Sequence, residues 1–314
     1  MNNWEKMGHI YSCDFYQTGF AADPFIDILD DETWRVYYTT RTKENTSLPY
    51  CLDVRAGNPR EITKIHKDPL FLPGQIGTFD DNGITMTSVL SVGDDKYMYY
   101  CGWNREVSVP YSLNIGLAIS PNGENVFEKV SPGPIMSRSV HNPIGVSAPC
   151  VIMDGDLFKM WYITFTKWKI YDGRIEPIFV IKYAESNNGI DWNTSDTICI
   201  DSSYEGESFA RPWVIKDEGV FKMWFSPRGP IGYREKHGDH YRLAYAESLD
   251  GIHWEKKPEC FNLTTSNEGW DSEMIEYASI LKDKGFYHML YNGNQFGKTG
   301  FGYAIAHNRN DQKS

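Results

Sequence analysis

A short aromatic segment returns along this chain at nearly even intervals, and a period of that length decides the architecture before any single motif can. It reads Trp34-Arg35-Val36-Tyr37-Tyr38, Tyr97-Met98-Tyr99-Tyr100, Lys159-Met160-Trp161-Tyr162, Lys222-Met223-Trp224-Phe225 and His288-Met289-Leu290-Tyr291. From Val36 through Met98, Met160, Met223 and Met289 the steps are 62, 62, 63 and 66 residues. Each copy follows an apolar run and a tight acidic or glycine turn, such as Val92-Gly93-Asp94-Asp95 or Met153-Asp154-Gly155-Asp156. Asp and Gly tolerate the backbone angles of such turns, so these are hairpins. Behind three copies comes a second hairpin, from Leu117 to Phe127, from Tyr183 to Trp192 across Asn188-Gly189, and from Tyr245 to Trp254 across Asp250-Gly251. A full unit is therefore strand, turn, strand, loop, strand, turn, strand.

Five such units account for all 314 residues, and four antiparallel strands per unit make the blade of a β-propeller. The spacing predicts an all-β fold, one five-bladed β-propeller domain over residues 1–314. The last unit stops at its third strand, Gly302-Tyr303-Ala304-Ile305-Ala306-His307, while Trp4-Glu5-Lys6 repeats the text of Trp254-Glu255-Lys256. The N-terminal segment is thus expected to supply the fourth strand of the last blade and so remove a free sheet edge.

The remaining composition narrows the function. Aromatic residues make up 15% of the chain, with glycine and proline spread throughout, as turn-rich β proteins require. A net charge of −11, with no run of Lys or Arg longer than two, argues against nucleic acid as a partner. The first residues lack a basic stretch followed by an apolar one, and no window approaches a membrane span, so a soluble, cytoplasmic protein with no membrane partner is expected. Cys13, Cys51, Cys101, Cys150, Cys199 and Cys260 form no CxxC pair and read as buried free thiols. His237-x-x-His240 has no third ligand in view, so no metal is expected; no nucleotide or nucleophile-elbow motif is present, and no cofactor is called for.

Polar residues at the entrance of each inner strand of a propeller converge on one pocket. Thirteen residues before the repeat anchor lie Asp23, Thr85, Ser147, Ala210 and Glu276; eighteen before it lie Thr18, Asp80, Asn142, Glu205 and Asp271. Paired carboxylates across a pocket suit cleavage of a glycosidic bond, one protonating the leaving oxygen and the other activating water or attacking the sugar. Acids before strands also serve as turn formers and caps, and both readings stand for Asp23, Asp80, Asp271, Glu207, Glu273 and Glu276. A second series, Arg41, Arg105, Lys167 and Arg228, follows the aromatic strands, and Arg211 joins it; such cations either neutralise the acids or hold an anionic group. Trp103, Trp168, Trp213 and Trp270 offer sugar-stacking faces or core packing.

The Ala-Glu-Ser-x-Asp-Gly-Ile-x-Trp text of Ala246 to Trp254, the Met-Trp strands and Asp23-Pro24-Phe25 resemble the five-bladed glycoside hydrolases of families 32, 43, 68, 117 and 130 over nearly the whole chain. Gly269 to Met274 and Tyr291 to Asn294 are similar to segments of propeller proteins of bacterial polysaccharide-assembly clusters. The likeness to family 43 implies Asp23 as general base and Asp80 as the acid that orients it. The third-blade Glu expected as general acid has no match in Val140 to Pro149, so the resemblance leaves His141, Glu207 or Asp271 to stand in. It implies a carbohydrate substrate cleaved in the central pocket, held by Arg41, Arg105, Lys167, Arg211, Arg228, Glu273, Glu276, Trp103 and Asn292. A phosphorylase or sugar-nucleotide transferase taking a phosphate-bearing or otherwise anionic donor, and a non-catalytic glycan-binding propeller, are the alternatives; the oligomeric state is left open.

Overall fold

The computed structural model describes residues 3–124, 126–171, 173–235 and 238–308. Twenty strands lie among them. They are β1 (Glu5–Tyr11); β2 (Ala22–Ile28), β3 (Thr33–Arg41), β4 (Ser47–Arg55) and β5 (Asn58–Ile65); β6 (Gly83–Val92), β7 (Asp95–Arg105), β8 (Tyr111–Ser120) and β9 (Glu128–Lys129). The next unit holds β10 (Val146–Asp154), β11 (Leu157–Tyr171), β12 (Arg174–Ser186) and β13 (Asn193–Ile198), and the one after it β14 (Ser208–Asp217), β15 (Val220–Arg228), β16 (Ala244–Ser248) and β17 (Glu255–Lys256). The last strands are β18 (Glu276–Asp283), β19 (Phe286–Asn292) and β20 (Phe301–His307).

Sheets β10-β11-β12-β13 and β14-β15-β16-β17 run in chain order, and β1 pairs with β20 as the outer strand of β18-β19-β20. The strands β2 to β5 and β6 to β9 share a sheet only through the parallel pair Ser47↔Gly83. The inner strands lie side by side, with β2 against β6 and β18, and β10 and β14 against each other and against β6 and β18 respectively. No helix among the described residues is long and apolar enough to cross a membrane.

Each repeated residue has a physical use. The first strand of a unit and the aromatic strand after it pack their rings against the neighbouring unit, and rings as fully shielded as Trp161 and Trp224 contribute about 2–3 kcal/mol each by burial. The Asn-Gly and Asp-Gly turns bind units together. Ser186 Oγ accepts the N–H of Gly189, Ser248 Oγ that of Gly251. The carbonyl of Gly189 then accepts the Tyr99 hydroxyl of the preceding unit at 3.0 Å, and that of Gly251 accepts Trp161 Nε1 at 2.6 Å. Gly189 has φ of +73°, and a Cβ there would stand 2.7 Å from the Tyr99 oxygen, so only glycine fits. The next aromatic in the series, Trp224, has a buried Nε1 without a partner among the described residues. The last unit divides its outer hairpin between the two ends of the chain, and Trp4 packs edge-on against Trp224 at 6.2 Å in place of such a turn.

At the same end of the sheets, acids of the first hairpins also cross-link neighbours. Asp154 takes Lys159 at 2.7 Å and Lys216 of the next unit at 2.6 Å. Asp217 takes Lys222, Lys282 at 2.6 Å and the Tyr287 hydroxyl. Burial alone would raise the Asp217 pKa, but these hydrogen bonds bring it down to about 2. A carboxylate whose folded pKa is depressed contributes stability that is complete above its unfolded value and lost as pH falls through the folded one. Urea unfolding from pH 5 to pH 2 should therefore show a loss of about 2 kcal/mol that is absent in Asp217→Asn; parallel curves for the two proteins would refute the assignment.

Candidate active site

Every inner strand is broken by a β-bulge near its start, between Ala22 and Phe25, Met86 and Ser88, Ser147 and Cys150, Ala210 and Trp213, and Glu276 and Ser279. At four of these bulges a residue other than glycine takes a left-handed backbone: Asp23 (φ +56°), Ala148 (+50°), Arg211 (+40°) and Tyr277 (+57°). Each such residue costs about 1 kcal/mol or more, and bulges of this kind re-aim side chains. Here they turn Asp23, Arg211 and Tyr277 into a cavity of about 780 Å³ that Thr85, Thr87, Ser147 and Ala210 also line.

The bulges also correct the depth inferred from counting. Phe25 pairs with Tyr37, twelve residues on, whereas Cys150 pairs with Trp161, Trp213 with Trp224 and Ser279 with Leu290, each eleven on. The first hairpin is one residue longer. Asp23 is therefore the structural equivalent of Ala148, Arg211 and Tyr277, and Glu276 sits one position earlier in its own strand.

Asp23 and Arg211 form the centre of the site. Arg211 Nη1 donates to Asp23 Oδ1 at 2.9 Å, and Nη2 to the Asp23 carbonyl at 3.1 Å; both residues are buried. The Asp23 N–H donates to Asn292 Oδ1 at 2.9 Å. Burial raises the Asp23 pKa by more than Arg211 and Arg41 lower it, so it stands above its ordinary value. Glu276 is fully buried beside this group, and among the described residues neither of its oxygens makes a hydrogen bond of ordinary geometry, although the Asn292 amide faces it. Burial first and the Asp23 charge second push the Glu276 pKa well above the usual carboxylate range.

Arg41, Arg105 and Trp103 line the same cavity, with Trp103 Nε1 donating to Ser47 Oγ at 2.8 Å. Arg228 is buried just behind the wall: its guanidinium stacks on Tyr233 at 3.7 Å and donates to the Pro177 carbonyl and the Tyr241 hydroxyl. Lys167 is exposed on β11. Glu273 is half-buried, its backbone N–H held by Asn294 Oδ1 and its carbonyl by Arg242. Trp168, Trp213 and Trp270 pack against the hydrophobic cores.

The acids eighteen residues before the anchor lie elsewhere. Asp80 is buried, pairs with Lys129 and accepts the Tyr100 hydroxyl at 3.4 Å. Asp271 pairs with Lys6 at 2.6 Å and accepts the Tyr291 hydroxyl at 3.1 Å, and Asn142 accepts Tyr162 at 3.2 Å. Each pins the loop that enters a unit to that unit's aromatic strand, and Lys6 and Lys129 come from the outer strands. Glu207 lines a different cavity of about 450 Å³, bonded to the Ser203 N–H and to Lys256 at 3.3 Å. His141 faces solvent beside Asp196 at 3.2 Å. His237 lies outside the described residues; His240 is buried with Nδ1 2.9 Å from the Tyr233 carbonyl.

The structure adds a wall that motif reading passed over. The β11–β12 hairpin extends over the cavity and brings Glu176, buried and opposite Lys169 in the ladder. Glu176 accepts the Tyr233 hydroxyl and pairs with Arg234 at 3.4 Å. Tyr233, Arg234 and Tyr241 come from the loop between β15 and β16, which carries no repeat text. The lengths of β11 and β12, 15 and 13 residues, were the available signal.

No protein-family model matches the chain. It is 35% identical over 309 residues to the uncharacterized protein Rv1502 of Mycobacterium tuberculosis (strain ATCC 25618 / H37Rv), an alignment covering 97% of this chain and 99% of that one. Among solved structures it is similar to a glycosyl hydrolase from Bacteroides ovatus (TM-score 0.70, 13% identity, 97% of this chain and 93% of the other). It is also similar to a thermostable family-43 glycoside hydrolase (TM-score 0.63, 17% identity, 91% and 88%). At such identities the likeness shows the fold, that of the propeller glycoside hydrolases.

Proposed function

The chain belongs to the family of the mycobacterial protein Rv1502, and from that premise we propose that it is a carbohydrate-active enzyme that cleaves a glycosidic bond in the cavity around Asp23. The proposal takes the four-stranded units as five blades of a single domain, with β1 completing the last blade and the contacts between inner strands closing the ring. The observation that carries it is the Asp23 carboxyl group, turned into the cavity by a strained bulge and paired with Arg211 at 2.9 Å. Strain held at cavity-facing residues supports a functional reading, and Asp23 is the one carboxyl group among the four strained bulge residues.

Asp23 acts as base or nucleophile. Glu176 is the second carboxylate on the cavity wall and takes the proton-donor role that glycosidic cleavage requires of a partner. Glu276, whose pKa burial and the Asp23 charge push well up, lies behind Asp23. Phosphorolysis or transfer from a phosphate-bearing donor would use the same carboxylate, and the arginines of the wall favour that reading over simple glycan binding.

Incubation of the purified protein with neutral and acidic oligosaccharides, alone and with inorganic phosphate or sugar nucleotides, tests this when products are read by mass spectrometry. New reducing ends, sugar phosphates or extended glycans are expected. Tight glycan binding with no product after prolonged incubation would make the protein a glycan-binding propeller instead.

A further inference from the structure

Five guanidinium groups, from Arg41, Arg105, Arg174, Arg211 and Arg234, line the cavity, whereas the described residues of its wall bring only two carboxylates, Asp23 and Glu176. The chain as a whole carries −11, so this concentration of positive charge is local. Three of the five are neutralised within the protein: Arg211 by Asp23 at 2.9 Å, Arg234 by Glu176 at 3.4 Å, and Arg174 by Glu235 at 3.1 Å.

Arg41 and Arg105 are not. Arg41 Nη1 donates to the side-chain oxygen of Asn45 at 3.0 Å, its guanidinium lies 4.5 Å from the Phe20 ring centroid, and its buried Nε has no partner among the described residues. Arg105 Nη2 donates to the carbonyl of Glu44 at 2.8 Å. Both are therefore tied to one turn, between β3 and β4, through neutral acceptors, and neither is in an ion pair among the described residues. Burial lowers the Arg41 pKa more than the charge of Asp23 restores it, so the protein supplies less counter-charge than that side chain needs. The planar guanidinium fork matches the oxygens of a carboxylate or phosphate, while sugar hydroxyls would leave the charge unpaired.

Resting on the glycosidic reading of the cavity, we propose that the ligand carries an oxyanion, a carboxylate or phosphate, which Arg41 and Arg105 seat. The oxyanion is either part of the glycan, as in a hexuronate, or arrives as phosphate.

Isothermal titration of the full chain with a hexuronate trisaccharide, the same trisaccharide with its carboxyls reduced to alcohols, and inorganic phosphate tests this. The acid form or phosphate is expected to bind at least ten-fold more tightly than the reduced form. Arg41→Gln and Arg105→Gln should each remove at least five-fold of that preference, and added salt should weaken it. Arg105 is exposed, so its variant reports even where Arg41→Gln does not fold. Preference for the hexuronate places the oxyanion on the glycan; a response to phosphate places it on a co-substrate. Equal affinity for acid and reduced forms with no response to phosphate, a preference that survives both substitutions, or no binding of any probe overturns the proposal. Cleavage of the reduced trisaccharide in that event leaves the glycosidic reading intact, whereas arginine-dependent binding of the acid form with no turnover removes that reading and keeps this one.

Discussion

Asp23→Asn should lower turnover on any glycan the protein cleaves by about a thousand-fold or more, with little loss of thermal stability. The first half follows from the role of the carboxylate, since removal of a positioned base costs about 10² to 10⁴ in rate, and of an attacking group more. The second half follows from its surroundings. The Asn oxygen still accepts from Arg211, and the Asp23 charge is one of the causes that keep Glu276 protonated. Once that charge is gone the Glu276 pKa falls, and Glu276 can take over as counter-ion to Arg211. Full turnover in Asp23→Asn, measured on the substrate of the wild-type protein, would remove Asp23 from the mechanism.

Arg211→Met should have the opposite profile, with a stability loss of about 3–5 kcal/mol, the usual cost of stripping one partner from a buried ion pair. Asp23 and Glu276 would then be left buried together with Arg41 and Arg234 as the remaining counter-charges. A carboxylate whose folded pKa is raised above its unfolded value of about 3.9 makes the folded state more stable as protons are added. The variant should therefore regain stability as pH falls from 8 towards 4, and more steeply than the wild-type protein, in which Arg211 still offsets part of the rise in both carboxyl pKa values. The double variant Asp23→Asn/Arg211→Met should recover part of the loss at neutral pH. Urea unfolding of the four proteins decides the matter, and a loss below about 1 kcal/mol with no pH dependence would show that Arg211 does not hold the Asp23 charge.

Much of this molecule was written locally. The 62-residue period, the Asp-Gly turns and the split of the outer hairpin in the last unit could be read because hairpin pairing depends on residues close in sequence. The pairing of β1 with β20 joins the two ends of the chain, and it was legible only because Trp4-Glu5-Lys6 repeats the text of Trp254-Glu255-Lys256, the outer strand of another unit. Asp23, Arg41, Arg105, Arg211 and Trp103, which line one cavity, lie at or beside repeated positions of the sequence.

Which acids face the cavity was decided only in three dimensions. Asp80 and Asp271 recur as regularly as Asp23, yet Lys129 and Lys6 and the hydroxyls of Tyr100 and Tyr291 draw them into the loops. The recurrence recorded a structural latch, which periodicity cannot tell from a catalytic one. Glu176, Tyr233 and Arg234 belong to a lengthened hairpin and a non-repeating loop, so no spacing announced them. Strands, turns and strand order were legible along the chain because they depend on short-range backbone preferences and on which faces are apolar. Which side chains enter the cavity depends instead on contacts distant in sequence: one extra residue in the first hairpin and a bulge in each inner strand set where side chains point, so that Asp23 meets Arg211 in the cavity while Asp80 and Asp271 meet Lys129 and Lys6 outside it.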